Sequence, residues 1–340
     1  MFNNRRITVG CTAAVIACLA AGCGGSSSSN TTKPAANSSN KLDGKGVSVV
    51  YIPGLTGNPF YSTVACGASV EAKKLGATFS TQGASTFSVD AQTPVVEAVS
   101  VRKPSVIMIS NDDPEAMQAP LLKAQDAGIK IVNIDGDLDN KSIGITNIQS
   151  DDTLGGKLAA QEMVSLLKGK TGDILILDNE PGIDITVERR SGFINELKQL
   201  DPRITILPVQ YTNNEVATAA SDVRAVAAAH PNLVGVYTVE TNNTQGAMTG
   251  LQEAGLTSKI KLIGYDTSAP IDAGIQSGVV SADIVQYPYG EGELGIEDAV
   301  MAMHGVKIAR EQSQPFVIAT KANYATPKVQ QYIYKTSCNS

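Results

Sequence analysis

The chain has 340 residues, a hydrophobic fraction of 42% and a formal net charge of −6, with an isoelectric point near 5.1. That apolar content supports buried cores, and the acidic balance without any strongly basic stretch argues against a nucleic-acid partner. Beyond the N-terminus no segment is long and apolar enough to cross a bilayer, and two histidines with no cysteine cluster give no zinc constellation.

In chain order, Arg5 and Arg6 give a positive start, and Ile7–Leu19 is an uncharged, mainly apolar run closed by Ala20-Ala21-Gly22. This describes a signal peptide over residues 1–22, too short for a stable membrane span. It ends on Cys23, followed by two glycines and four serines, and so resembles a bacterial lipoprotein signal with a lipidated cysteine. Cys18 also fits the residue pattern, but only Cys23 opens onto a tether, so Cys23 is assigned as the lipid site. Residues 23–44 hold mostly Ser, Asn, Thr, Ala, Pro and Gly and should form a disordered leash. The expected location is the outer face of the cytoplasmic membrane, touched only through the lipid. Cys66 and Cys338 are the cysteines left over. In an oxidising compartment they read as a disulfide, with two buried free thiols as the alternative.

From Val47 onward, short β-branched runs alternate with amphipathic segments. Strands are expected at 47–52, 77–82, 105–109, 130–134, 173–177, 204–209, 233–237, 259–263 and 281–285. Helices are expected at 59–75, 90–102, 114–126, 151–167, 187–200, 215–229, 243–254, 269–276 and 293–303. The alternation predicts parallel sheets flanked by helices, and the strand count suits two α/β lobes better than one twisted sheet.

Ligands of open parallel sheets sit beyond the carboxyl ends of the strands. Those exits carry Asn58 with Phe60 and Tyr61, Asp112, Asp135 and Asp137, Glu240, Asp266 and Gln286. Carboxylates accept from hydroxyls, amides donate and accept, and a ring face covers the apolar side of a sugar. Several of these residues also stand where helix caps belong. Their recurrence at successive exits is the stronger signal.

Asn58-Pro59-Phe60-Tyr61, Ile134-Asp135, Asp151 before Leu154-Gly155-Gly156, Glu188-Arg189 before Gly192-Phe193, His230-Pro231, Ile263-Gly264-Tyr265-Asp266 and Val285-Gln286-Tyr287-Pro288 together resemble the ribose-type periplasmic solute-binding proteins of ABC transporters, related to LacI-type repressors. The resemblance runs from about Gly46 to Pro327. It implies an α/β fold of two similar lobes, joined by a three-segment hinge with the ligand cleft between them. Crossings are expected near Gln149–Asp151, Gln286–Tyr287 and Pro315–Phe316. The first lobe would then hold 45–149 and 287–315, and the second 150–286 with 316–340.

By this resemblance Asn58, Phe60, Tyr61, Asp135, Arg189, Asp266 and Gln286 match ligand-contacting positions. Asp137 and Glu240 join them as strand-exit acids, and Asp112 and Asn214 as further possible contacts. Three positions depart: Gly136 replaces an arginine, Glu240 an asparagine, and no aromatic stands at 213–215, where Tyr211 is the nearest substitute. Losing a bidentate donor and gaining an acceptor changes the hydroxyl pattern that is bound, so ribose itself is not the expected ligand.

Two motifs mislead. Gly290-Glu291-Gly292-Glu293-Leu294-Gly295 matches a dinucleotide fingerprint by letters, but its glutamates would repel pyrophosphate, and it reads as a flexible helix entrance. Asp135-Gly136-Asp137-Leu138-Asp139-Asn140 begins like a calcium loop but lacks the sixth-position Gly and the closing Glu. No cofactor or metal is expected. His230 and His304 read as helix ends.

The expected function is a monomeric lipid-tethered receptor that captures a small neutral sugar or sugar alcohol. It would deliver that solute to the permease and ATPase of an ABC importer. The alternatives are a ligand-sensing lipoprotein for a membrane receptor, or a secreted carbohydrate-active enzyme pairing Asp135 or Glu240 with Asp266.

Overall fold

Runs such as Val-Val-Tyr-Ile and Val-Ile-Met-Ile bury every residue, as strands covered on both faces require. The computed structural model describes residues 42–335, 337 and 338. The signal segment, Cys23 and nearly all of the tether lie outside them. The tether's end does not: Gly44 N donates to Leu75 O at 2.8 Å, so residues 42–44 are seated on the folded part and the leash ends earlier than expected.

The first lobe comprises β1 (Ser48–Ile52), α1 (Pro59–Leu75), β2 (Thr78–Thr81), α2 (Val89–Val101), β3 (Val106–Ile109), α3 (Gln118–Asp126), β4 (Lys130–Ile134) and β5 (Thr146–Ser150). The second comprises α4 (Asp152–Leu167), β6 (Asp173–Asp178), α5 (Asp184–Leu200), β7 (Thr205–Ile206), β8 (Gln210–Tyr211), α6 (Val216–Ala229), β9 (Leu233–Thr238), α7 (Thr241–Glu253), β10 (Lys261–Tyr265), α8 (Ala269–Ser277) and β11 (Ala282–Val285). The chain then returns to the first lobe with α9 (Pro288–Met303) and β12 (Glu311–Gln314). β13 (Val317–Ala319) and α10 (Pro327–Gln330) follow on the second.

One sheet has the order β12-β5-β4-β3-β1-β2 and is wholly parallel. The other runs β13-β11-β10-β9-β6-β7, with β8 also on β6, and is parallel except for β13, which lies antiparallel to β11. The chain therefore changes sheet after β5, after β11 and after β12.

Each lobe is braced by tight helix pairs built on glycine. A Cβ on Gly67 of α1 would stand 2.0 Å from Tyr289 O of α9, and one on Gly292 would stand 2.0 Å from Val64 O. The second lobe repeats the device between α4 and α5, where Cβ atoms on Gly156 and Gly192 would stand 1.9 Å from Arg189 O and 2.2 Å from Thr153 O. Only glycine permits such backbone approach. Gly292 is thus a helix-crossing residue inside α9, which begins at Pro288 and absorbs the stretch expected to be a flexible entrance.

Other boundaries moved for local reasons. Asp113 Oδ1 accepts from the amides of Glu115 (2.9 Å) and Ala116 (2.7 Å), forming a turn that delays α3 to Gln118. The expected strand 204–209 is cut to β7 before Pro208, which has no N–H to donate, and β8 pairs only beyond it. The polar strands β5 and β12 carried no apolar run to announce them, and β13 and α10, of three and four residues, are too short to show a period.

The tail departs most from expectation. After α10 the chain leaves the second lobe, and Cys338 is bonded to Cys66 of α1, with Cα atoms 4.9 Å apart. Cys338 therefore belongs against the first lobe.

Candidate ligand-binding cleft

β4 and β10 end in the same way. Asp135 N donates to Ile148 O and Asp266 N to Ile284 O, both at 2.9 Å, extending each strand's pairing by one residue. The chain then turns left-handed, with φ +52° at Asp135 and +67° at Asp266. Aspartate is among the few non-glycine residues that tolerate this conformation, and the turn places a carboxylate beyond the end of the sheet.

Arg189 of α5 is the hub of the buried site. Its Nε donates to Asp152 Oδ1 at 2.7 Å and its Nη1 to Val239 O at 3.0 Å. Nη1 also lies 3.8 Å from Asp266 Oδ2, and the guanidinium sits 4.0 Å from the Tyr265 ring centre. Burial alone would lower its pKa, but Asp152, Tyr265, Asp266 and Asp135 hold it well above the usual value, so it stays charged. Glu291, in the first turn of α9, is fully buried in the same field.

One guanidinium cannot neutralise four carboxyl groups. Burial pushes Asp135 and Glu291 well above the usual carboxylate range, opposed by Arg189 and reinforced by the neighbouring acids. Burial likewise raises Asp152 and Asp266, although both are held by partners. Asp266 Oδ1 accepts from Gln286 Nε2 at 2.9 Å and from Tyr334 Oη at 2.5 Å. Asp135 Oδ1, Gln286 Oε1, both Glu291 carboxyl oxygens and the Tyr265 and Tyr237 hydroxyls are buried without a hydrogen-bond partner. Buried polar groups left without a partner call for an explanation.

Aromatic rings line the first lobe's side. Phe60 packs edge-on against Tyr61, with centres 5.4 Å apart, and against Tyr334 at 5.7 Å. The Tyr61 hydroxyl and Asp112 reach over Gly54, where a Cβ would stand 2.8 Å from each. Phe87, 51% exposed, approaches the same glycine. An open cleft of about 510 Å³, within the range of small-molecule sites, adjoins these groups. Phe87, Asn111, Asp112, Gly136 and Asp137 line it from one lobe, and Asp152, Ile183, Asp184 and Glu188 from the other. Burial raises Asp112 to about 7.

Not every expected contact is available to a ligand. Asp137 is bonded to Arg310 (2.7 Å) and Lys141 (2.8 Å); burial would raise it, but these cations hold it below the usual range. Glu240 caps α7, accepting from Asn242 N at 2.8 Å and Asn243 N at 2.7 Å. Burial still lifts it to about 7 against those bonds. Asn214 is exposed and tied to Asn242 at 3.1 Å. Asn58 spends its oxygen on Phe60 N at 2.8 Å as the cap of α1, leaving its amide group. Tyr211 is exposed and bonded to Arg190 at 3.3 Å, so it does not replace the missing aromatic. Tyr334, Asp152, Glu291 and Phe87 were not read from sequence. Phe87 stands in a loop, Asp152 and Glu291 in helix first turns, and Tyr334 far along the tail.

The sequence profile described as "Periplasmic binding protein domain" matches residues 49–307. The chain is 27% identical over 270 residues to a ribose import binding protein of Bacillus subtilis, covering 78% of this chain and 84% of that protein. It is 25% identical over 259 residues to a D-apiose import binding protein of Actinobacillus succinogenes, covering 76% and 82%. A crystal structure of an Agrobacterium vitis ABC transporter solute-binding protein with α-D-tagatopyranose superposes with a TM-score of 0.80. The identity is 32%, over 85% of this chain and 99% of that one. A second protein of that organism, with D-fucose bound, gives 0.78 at 25% identity, over 84% and 100%.

Proposed function

Because the chain belongs to the periplasmic binding protein domain family, a family of transport receptors and not of enzymes, we propose that it captures a neutral monosaccharide or sugar alcohol outside the cytoplasm and delivers it to an ABC permease. The observation that carries the reading is the cluster formed by Asp135, Arg189, Asp266 and Gln286 between two lobes, with Phe60, Tyr61 and Phe87 beside it. Buried acceptors, one fixed cation and ring faces match the hydroxyls and the apolar face of a sugar. An anion would enter a cleft whose polar lining is mostly carboxylate, at a high electrostatic cost.

The relatives bind several pentoses and hexoses by their names, which supports the class of ligand rather than one sugar. Gly136, with φ +145° and its carbonyl accepting from Asn111 Nδ2 at 3.0 Å, offers no bidentate donor, which disfavours ribose. Cys23 is the proposed lipid anchor. Asn58, Phe60, Tyr61, Asp112, Asp135, Arg189, Asp266 and Gln286 are the proposed contacts, while Asp137, Glu240 and Asn214 are withdrawn as direct ones.

A thermal-shift panel tests this. Neutral sugars or sugar alcohols should raise the melting temperature, with D-ribose weak. A dominant response to sugar phosphates or sugar acids would overturn it.

A further inference from the structure

The described tail is a fourth connection between the lobes, and it passes through the site. Tyr332 lies against Tyr287, with ring centres 4.6 Å apart, beside the second crossing. Tyr334 is bonded to the second lobe twice: its amide donates to Thr267 Oγ1 at 2.9 Å and its hydroxyl to Asp266 Oδ1 at 2.5 Å. The very next residue is bonded to the first lobe. Lys335 N donates to Thr63 Oγ1 at 2.6 Å, and Lys335 Nζ lies 5.0 Å from the centre of the Tyr289 ring. The disulfide then fastens the end of this strap to α1.

This route sets the polarity of one ligand contact. Asp266 Oδ1 already accepts from Gln286 and Tyr334, so its capacity to accept from a guest hydroxyl is largely used. Tyr334, having donated its only proton to Asp266, can offer a guest only its oxygen lone pairs. Its ring meanwhile backs Phe60. We propose that Tyr334 is a specificity-determining residue of the cleft, presenting a fixed acceptor to a ligand hydroxyl, and that the Cys66–Cys338 strap holds it there. This inference rests on the sugar-binding reading above.

The test compares the oxidised full-length chain with Tyr334→Phe by titration calorimetry. The probes are D-tagatose, D-allose, D-arabinose, D-fucose, D-ribose, ribitol and sorbitol. Tyr334→Phe keeps the ring against Phe60, so folding should be retained while the rank order of affinities changes by on the order of tenfold for at least one pair of probes. The double variant Cys66→Ser/Cys338→Ser keeps the Tyr334 hydroxyl but frees the strap. It should weaken all bound probes together without changing their order, since only preorganisation is lost. If the wild-type chain binds probes and Tyr334→Phe binds them in the same order and strength, the strap is packing and this inference falls alone. If the wild-type chain binds none, the sugar-binding reading falls and this inference with it.

Discussion

Asp135 and Asp266 stand at equivalent strand ends of the two lobes, and the same left-handed turn lifts both carboxylates off their sheets. Between them Arg189 holds a full charge because Asp152, Asp266 and Asp135 with Tyr265 favour it, and it is anchored to Asp152 and Val239 O, so little of its position is left to the ligand. Phe60 shows how one residue serves two ends. A ring at the start of α1 reads as a sugar-stacking clamp that could be removed without harm to folding. In the structure it is only 7% exposed and part of the first lobe's core. Phe60→Ala should therefore cost about 3–5 kcal/mol of stability in urea unfolding, the range for emptying a buried phenylalanine site, together with binding. A stable variant that loses only affinity would show that the ring's work is confined to the ligand.

Among the elements, the helix pairs α1–α9 and α4–α5 hold the lobes by backbone-to-backbone approach at Gly67, Gly292, Gly156 and Gly192. α5 carries Arg189, and the carbonyl that Gly156 touches is that of Arg189 itself, so this crossing also sets where the guanidinium emerges. Gly156→Ala places a methyl group 1.9 Å from that carbonyl and must push α4 and α5 apart. Overpacking of this kind costs about 1–3 kcal/mol or more. Chemical unfolding should show the loss, and calorimetry should show weakened binding even though residue 156 is no proposed contact. Wild-type affinity in a folded Gly156→Ala chain would sever the link between this crossing and the site.

For the whole molecule, the buried acids make stability depend on pH. Burial raises Asp112 and Glu240 to about 7, and Asp272 and Asp298 to about 6. Their unfolded values lie near 4, so between about pH 4 and 7 the folded chain binds more protons than the unfolded one. Stability must then fall as pH rises through that window. Asp137 works in the opposite sense, because its folded value is depressed, but its contribution is lost only below about pH 4. Melting temperature should accordingly be higher at pH 5 than at pH 7.5, and Asp112→Asn should reduce the difference. A melting temperature that rises from pH 5 to 7.5 would contradict this account of the buried carboxyls.

Local pattern alone was enough for the alternation of strands and helices. It was enough too for the two-lobed α/β fold and for proposing a polar site at the strand exits, because burial on both faces and polar residues beyond sheet ends leave signals within a few residues. Asp135, Asp266 and Gln286 were proposed as contacts for that reason, and Arg189 through its match to the family pattern. The same local signals did not record that Glu240 caps α7 or that Asp137 pairs with Arg310, which lies 173 residues away. Tertiary structure alone decided how the acids divide between capping, ion pairing and the cleft. It also brought Tyr334 to Asp266 across 68 residues of chain, and the disulfide that fastens its strap spans 272. No local periodicity records a contact of that range, since its cause is the meeting of two lobes and a tail.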